Sequence, residues 1–192
     1  MGREFELKYQ ASAAALEALA AAFGPFRVIS METTYYDDPA GTLRQRRWTL
    51  RRRMENGKSV CTVKTNLPDG SRGEWETESP DITRAIPVLI AQGAPAPLAE
   101  VAARGLVPTC GAKFTRQAAL LQTADGLAEL ALDSGILTGG GRQLPLSEVE
   151  LELKEGSDQA TVALARTLAR RYGLVHQPKS KLARALELAS QA

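Results

Sequence analysis

Cysteine is nearly absent from this chain: Cys61 and Cys110 are the only two among 192 residues, too few for a disulfide framework and without metal-ligand spacing. Buried thiols in a reducing compartment are the expectation. Histidine is scarcer still. His176 stands alone after a helical stretch, with no nucleophile beside it, which argues against catalysis by an imidazole. No apolar run approaches the ~20 residues that span a bilayer, and Arg3, Glu4, Glu6 and Lys8 interrupt the apolar region that a signal peptide needs. An excess of either charge is also missing. With 24 Lys and Arg against 22 Asp and Glu, the net charge of +2 argues against a nucleic-acid-coating protein, whose affinity comes mainly from phosphate neutralisation. These absences predict a cytoplasmic protein, monomer or homodimer, with neither nucleic acid nor membrane as its partner.

What is present is charge at every second position. In a strand, successive side chains point to opposite faces, so Glu4, Glu6 and Lys8 share one face while Phe5 and Leu7 share the other. Glu148, Glu150, Glu152 and Lys154 repeat the pattern around Val149, Leu151 and Leu153. Shorter runs follow it at Thr49–Arg53, Val60–Lys64 and Arg72–Glu78. A solvated outer face would explain one such strand. Several are harder to explain that way, because carboxylates lined up on a sheet repel one another. A site that holds a cation and a polyanion together reverses that penalty: glutamates offer hard oxygen ligands to Mg²⁺ or Mn²⁺, and Arg and Lys match phosphate oxygens. The container expected is an antiparallel β-barrel of about eight strands, closed or nearly closed, with a wet, charged interior and helices packed outside.

The remaining segments fit an α+β fold. Ser12 is a candidate N-cap for an Ala-rich helix to Phe23, stopped by Gly24 and Pro25. Strands are expected at Val28–Asp37, Trp48–Arg53, Val60–Thr65, Arg72–Glu78, Lys113–Gln122, Leu127–Leu137 and Glu148–Lys154, with a Glu55-Asn56-Gly57-Lys58 hairpin. Residues 81–108 read as helical pieces broken at Pro87, Gly93, Pro95 and Pro97. Helices are expected from Asp158 to Tyr172 and from Leu182 to Ala189. Strands spread over the whole length predict a single domain, 1–192. Trp48 and Trp75 fall on the apolar parity and read as packing residues, Arg166, Arg170 and Arg171 as a solvated helix side, and Gly139, Gly140 and Gly141 as a loop with no helix after it.

In order and spacing these residues resemble the CYTH domain family, the triphosphate tunnel metalloenzymes, from Arg3 to about Arg184. The resemblance rests on Glu4-x-Glu6-x-Lys8, Tyr36-Asp37, Leu50-Arg51-x-Arg53, Thr62-x-Lys64, Arg72-x-Glu74, Arg116, Ala131-Leu132-Asp133-x-Gly135, Glu148-x-Glu150-x-Glu152 and Ser180-Lys181-x-x-Arg184. It is similar above all to the bacterial inorganic triphosphatase branch. One departure is Arg52, where the family usually has an outward aliphatic residue; either the outer face is less covered there or Arg52 snorkels along it.

The resemblance implies a divalent-metal-dependent triphosphatase acting on a small polyanion. Glu4, Glu6, Glu150 and Glu152 are the expected metal ligands, with Glu152 or Glu6 foremost. Lys8, Arg51, Arg53, Lys64, Arg72, Arg116 and Lys181 would hold the triphosphate, and Glu4, Glu6, Lys8 and Lys64 are the candidate catalytic residues. Glu74, Glu76, Glu129, Asp133 and Glu148 form a second tier, because a one-residue slip in register would turn each outward. Thiamine triphosphatase, an adenylate cyclase of the same family, and a non-catalytic polyphosphate-binding module remain alternatives. The inward positions near Arg51 and Lys64 carry no aromatic residue other than Tyr35 or Tyr36, which favours the bare triphosphate over an organic ester.

Overall fold

Alternating side chains build most of the molecule. The computed structural model describes residues 5–66 and 72–191. Nine strands form one antiparallel sheet: β1 (Glu6–Gln10), β2 (Arg27–Asp37), β3 (Thr49–Glu55), β4 (Lys58–Asn66), β5 (Arg72–Glu78), β6 (Val107–Gln122), β7 (Leu127–Gly139), β8 (Arg142–Glu155) and the two-residue β9 (Val175–His176). Their order is β5-β4-β3-β2-β6-β7-β8-β1-β9. Turn chemistry sets the register. Asn56 and Gly57 take positive φ, 48° and 88°, as a two-residue hairpin requires, and Glu55 faces Lys58 across β3 and β4.

Among the described residues the edge strands β5 and β9 do not pair with each other, so the sheet curls without closing, and it has one strand more than expected. Curling is evident because side chains of β1 and of β5, near opposite ends of the strand order, line one cavity.

The convex face is apolar and covered by helices. Leu130, Leu132, Val149 and Leu151 lie under α1 (Ala13–Ala22) and α5 (Asp158–Tyr172), together with Leu19, Ala165 and Leu168 from those helices. Leu50, Cys61 and Val63 lie under α2 (Thr42–Gln45), α3 (Ile82–Ala91) and α4 (Pro97–Ala103), meeting Leu43, Ile86, Leu89, Leu98 and Val101. Each such Leu or Val contributes about 1.5–3 kcal/mol on burial. Caps fix the helix starts: Ser12, Asp81, Ser157 and Ser180 each accept a hydrogen bond from the backbone N–H three residues on. Arg52 reaches along the outer face and donates to the Pro80 carbonyl at 3.0 Å, so it snorkels.

Two expectations need correction. Pro87 does not break α3; it lies inside it, and Ala85, Ile86 and Leu89 on either side bury the helix against the sheet. Tertiary burial outweighs the one backbone bond that proline removes. The second concerns α6 (Lys181–Ser190), which does not pack outside. Its Leu182, Ala185 and Leu186 meet Met31, Tyr35, Cys110, Ala112, Phe114, Leu137 and Leu146, all on the concave parity of β2, β6, β7 and β8. Gly139 permits that approach: a Cβ there would stand 2.3 Å from the Ala185 carbonyl oxygen. Part of the interior is thus apolar and filled, and the charged part is what remains.

Candidate active site

The charged side chains converge on a cavity of about 250 Å³ inside the curl. Lys8, Arg51, Arg53, Lys64, Arg116 and Lys181 line it together with Glu6, Glu74, Glu150 and Glu152, giving six cations and four carboxylates. Register explains the arrangement. On one wall Glu6 faces Glu152 across β1 and β8, with Glu129 of β7 next in register beyond the cavity lining, and Lys8 faces Glu150 in the next inward row. On the other wall Arg51 faces Thr62, and Thr49 faces Lys64, which in turn faces Glu74. An acidic wall therefore confronts a basic one.

The two walls differ in how well their charges are matched. Glu6 pairs with Lys8 at 3.0 Å and Glu152 with Lys154 at 2.9 Å, both partly open to solvent. Across the cavity Arg53 donates from Nε to Thr33 Oγ1 at 3.0 Å, and Lys64 pairs with Glu74 at 3.2 Å. Arg51 reaches Glu74 only at 4.0 Å, and its buried Nε has no acceptor among the described residues. Burial, followed by the neighbouring Arg51 guanidinium, pushes Arg53 down to about 10. A cationic wall with an unmet donor favours an anion.

Between the walls lies a buried ionic network. Arg116 forks onto Asp133 at 2.8 and 2.7 Å and also donates to Glu150. Lys181, the first residue of α6, meets Asp133 at 2.8 Å, Glu150 at 2.6 Å and Glu148, while Arg184 donates to the other oxygen of Glu148. Burial alone would lower Lys181 and Arg116, but the surrounding carboxylates raise both. Glu150 splits from Glu148: burial raises either carboxyl, yet Lys181 and Arg116 hold Glu150 well below the usual range, whereas burial prevails at Glu148 and leaves it raised. The oxygens of Asp133, Glu148 and Glu150 lie within 4.8 Å of one another, close enough for a metal ion. Three cations already balance them, which makes this cluster the floor of the cavity, while Glu6 and Glu152 stand more open to solvent.

Several expected residues fall elsewhere. Glu4 lies outside the described residues, and of Arg72 only the backbone in β5 is described. Glu76 accepts from Thr62 Oγ1 at 3.3 Å, and Glu129 stands 3.9 Å from both Arg27 and Lys154; neither lines the cavity. Asp133 and Glu148 are fully buried beneath it. The sequence reading gave no role to Arg184, although its spacing of three from Lys181 on one helix was a usable signal. It also missed a second cavity, about 210 Å³, in which Tyr35, Tyr36, Trp48 and Leu43 meet Leu182 and Leu186 of α6. Tyr35, Thr49, Ser180 and Leu182 line both cavities.

The CYTH domain family model matches residues 2–186, which take in all nine described strands and the first turns of α6. The chain belongs to the CYTH domain family. As a CYTH protein it is 29% identical over 160 residues to an inorganic triphosphatase of Haemophilus influenzae; that match covers 82% of this chain and 46% of the relative, so the chain spans about half the length of that protein. Among solved structures, a Pyrococcus horikoshii protein superposes with a TM-score of 0.65 at 22% identity, covering 96% of this chain and 99% of its own. A candidate adenylyl cyclase from Hippeastrum, described as having a dominant triphosphatase activity, gives 0.64 at 20% identity, covering 97% of this chain and 96% of its own. At those identities the likeness speaks to the CYTH fold alone.

Proposed function

We propose that this CYTH protein hydrolyses inorganic triphosphate to pyrophosphate and phosphate in a divalent-metal-dependent reaction. The observation that carries the proposal is the cavity lined by six cations, one with an unmet buried donor, together with four carboxylates, a space the size of a small polyanion. The named activity of the Haemophilus relative agrees with it.

A divalent ion fits the donor set. Glu6 and Glu152 are opposite each other on adjacent strands, open to the cavity and made of hard oxygens, and their Lys partners are long enough to swing aside. Bound there, Mg²⁺ or Mn²⁺ would neutralise phosphate oxygens and polarise the terminal phosphorus. Lys8, Arg51, Arg53 and Lys64 would take the non-bridging oxygens, and Arg116 and Lys181 those deepest in the cavity. Glu6 or Glu152 would accept a hydrogen bond from the attacking water and orient its oxygen toward the terminal phosphorus. A P–O bond forms to that water as one of its protons passes to the carboxylate, the bond to the bridging oxygen breaks, and pyrophosphate departs carrying the electron pair. Positioning and charge stabilisation supply most of what phosphoryl transfer needs.

The aromatic-lined cavity beside the charged one favours a second reading, in which an organic triphosphate leaves its ring against Tyr35 and Trp48. Phosphate release from inorganic triphosphate, ATP and thiamine triphosphate, with Mg²⁺, with Mn²⁺ and with excess chelator, separates the two. Turnover of the inorganic substrate that stops on chelation and returns with metal is the expected result. Full activity in chelator would remove the metal from the mechanism.

A further inference from the structure

Arg184 does not line the charged cavity, yet it grips the floor. Its Nη2 donates to one oxygen of Glu148, and Lys181 Nζ donates to the other. Glu148 is fully buried, so its charge is shared with what it touches rather than with water. Arg184 Nε is buried and unpartnered among the described residues, which leaves the guanidinium committed to that one carboxylate. Around Lys181 stand three carboxylates, Asp133, Glu148 and Glu150. Arg116 occupies two of them, Asp133 and Glu150. Arg184 occupies the third.

Resting on the reading of Lys181 as a phosphate-binding cation, we propose that Arg184 is a positioning residue for Lys181, acting through Glu148. With Arg184 present, each carboxylate of the floor has a second cation, and the Lys181 ammonium keeps charge to offer a ligand in the cavity. With Arg184 gone, Glu148 has Lys181 alone. It then draws the ammonium down onto itself, and the ammonium leaves its present place. The loss should fall on ligand binding, because Arg184 touches no reacting atom.

The test begins without any substrate. The ¹⁵N and ¹H resonances of the Lys181 ammonium, assigned by their loss in Lys181→Arg, should shift in Arg184→Gln and return close to the parent position in Arg184→Lys. An unshifted signal in Arg184→Gln overturns the proposal whether or not the protein hydrolyses triphosphate. In the second arm KM for inorganic triphosphate should rise about tenfold in Arg184→Gln while kcat stays within about twofold, and calorimetric affinity for triphosphate should show no further loss when Arg184→Gln is added to Lys181→Met. Additive losses, or a fall in kcat with KM unchanged, would mark Arg184 as a mere anchor of α6. If no phosphate is released from any triphosphate, the proposed function fails and the ammonium signal still decides this point. Should Arg184→Gln fail to fold, Arg184→Met keeps the apolar stem and serves in its place.

Discussion

Glu152 stands in register between Glu6 and Glu129, three carboxylates in one row across three strands, with Lys154 as its near partner at 2.9 Å. Like charges directly opposite are unfavourable in a sheet. Glu152→Gln should therefore lower turnover on the order of 10²-fold while leaving the melting temperature at or above that of the parent; phosphate release and thermal unfolding measured on one preparation check both. A falling melting temperature would mean that Glu152 holds the fold. Arg51 and Arg53 bear on the opposite wall, and Arg53→Ala should weaken triphosphate binding by about 2–5 kcal/mol, read as a rise in Kd by calorimetry. The two buried cysteines bear on stability. Burial pushes the Cys61 and Cys110 thiols up to about 11 from an ordinary 9.0. Between those values the unfolded chain sheds protons that the native one keeps, so their contribution to stability is present below pH 9 and lost as pH rises through about 11. Native protein should also react slowly with a thiol reagent near pH 8, and fast labelling would contradict the burial of both residues.

Helix α6 shows where sequence stops determining structure. Parity put Leu50 and Val63 outward and Arg51 and Lys64 inward, and both faces are as expected, because the period of a strand fixes which residues share a face. An amphipathic helix, by contrast, announces an apolar stripe and not the side of the sheet it will cover. Its place in the concavity depends on Gly139, on the small residues Ala185 and Ala189 and on Phe114 and Leu137 far away in the chain. The burial of Asp133 and Glu148 was illegible for the same reason, since α6 supplies the Lys181 and Arg184 that cover them. So was the aromatic cavity, which forms between α2 and α6. Gly139→Val should therefore push α6 off its seat. Because Lys181 heads that helix, turnover should be lost along with several degrees of melting temperature, while a Val at the open turn position Gly141, where a Cβ meets nothing within 4 Å, should strain only its own φ of 75° and spare the site. Equal effects of the two would show that α6 does not depend on the close approach at 139.

At the scale of the whole molecule, the proposed function implies a preference for a bare polyanion over one that carries a ring. Its six cations can satisfy a compact triphosphate, whereas an ester must also fill the adjoining space beside Trp48. Inorganic triphosphate should surpass ATP and thiamine triphosphate in kcat/KM by about tenfold, or ~1.4 kcal/mol of transition-state binding. If an ester wins instead, Trp48→Ala should reverse the order.

Among the described residues the sheet curls without joining its edges, and the acidic and basic walls belong to opposite flanks of that open curl. A bound triphosphate, gripped from both sides, would then work as a clasp, drawing shut a seam that the backbone leaves unsewn. Its signature would appear away from the cavity: slowed amide exchange along β5 and β9 on addition of ligand, with little change in the central strands β2 and β6, which are hydrogen-bonded on both sides already.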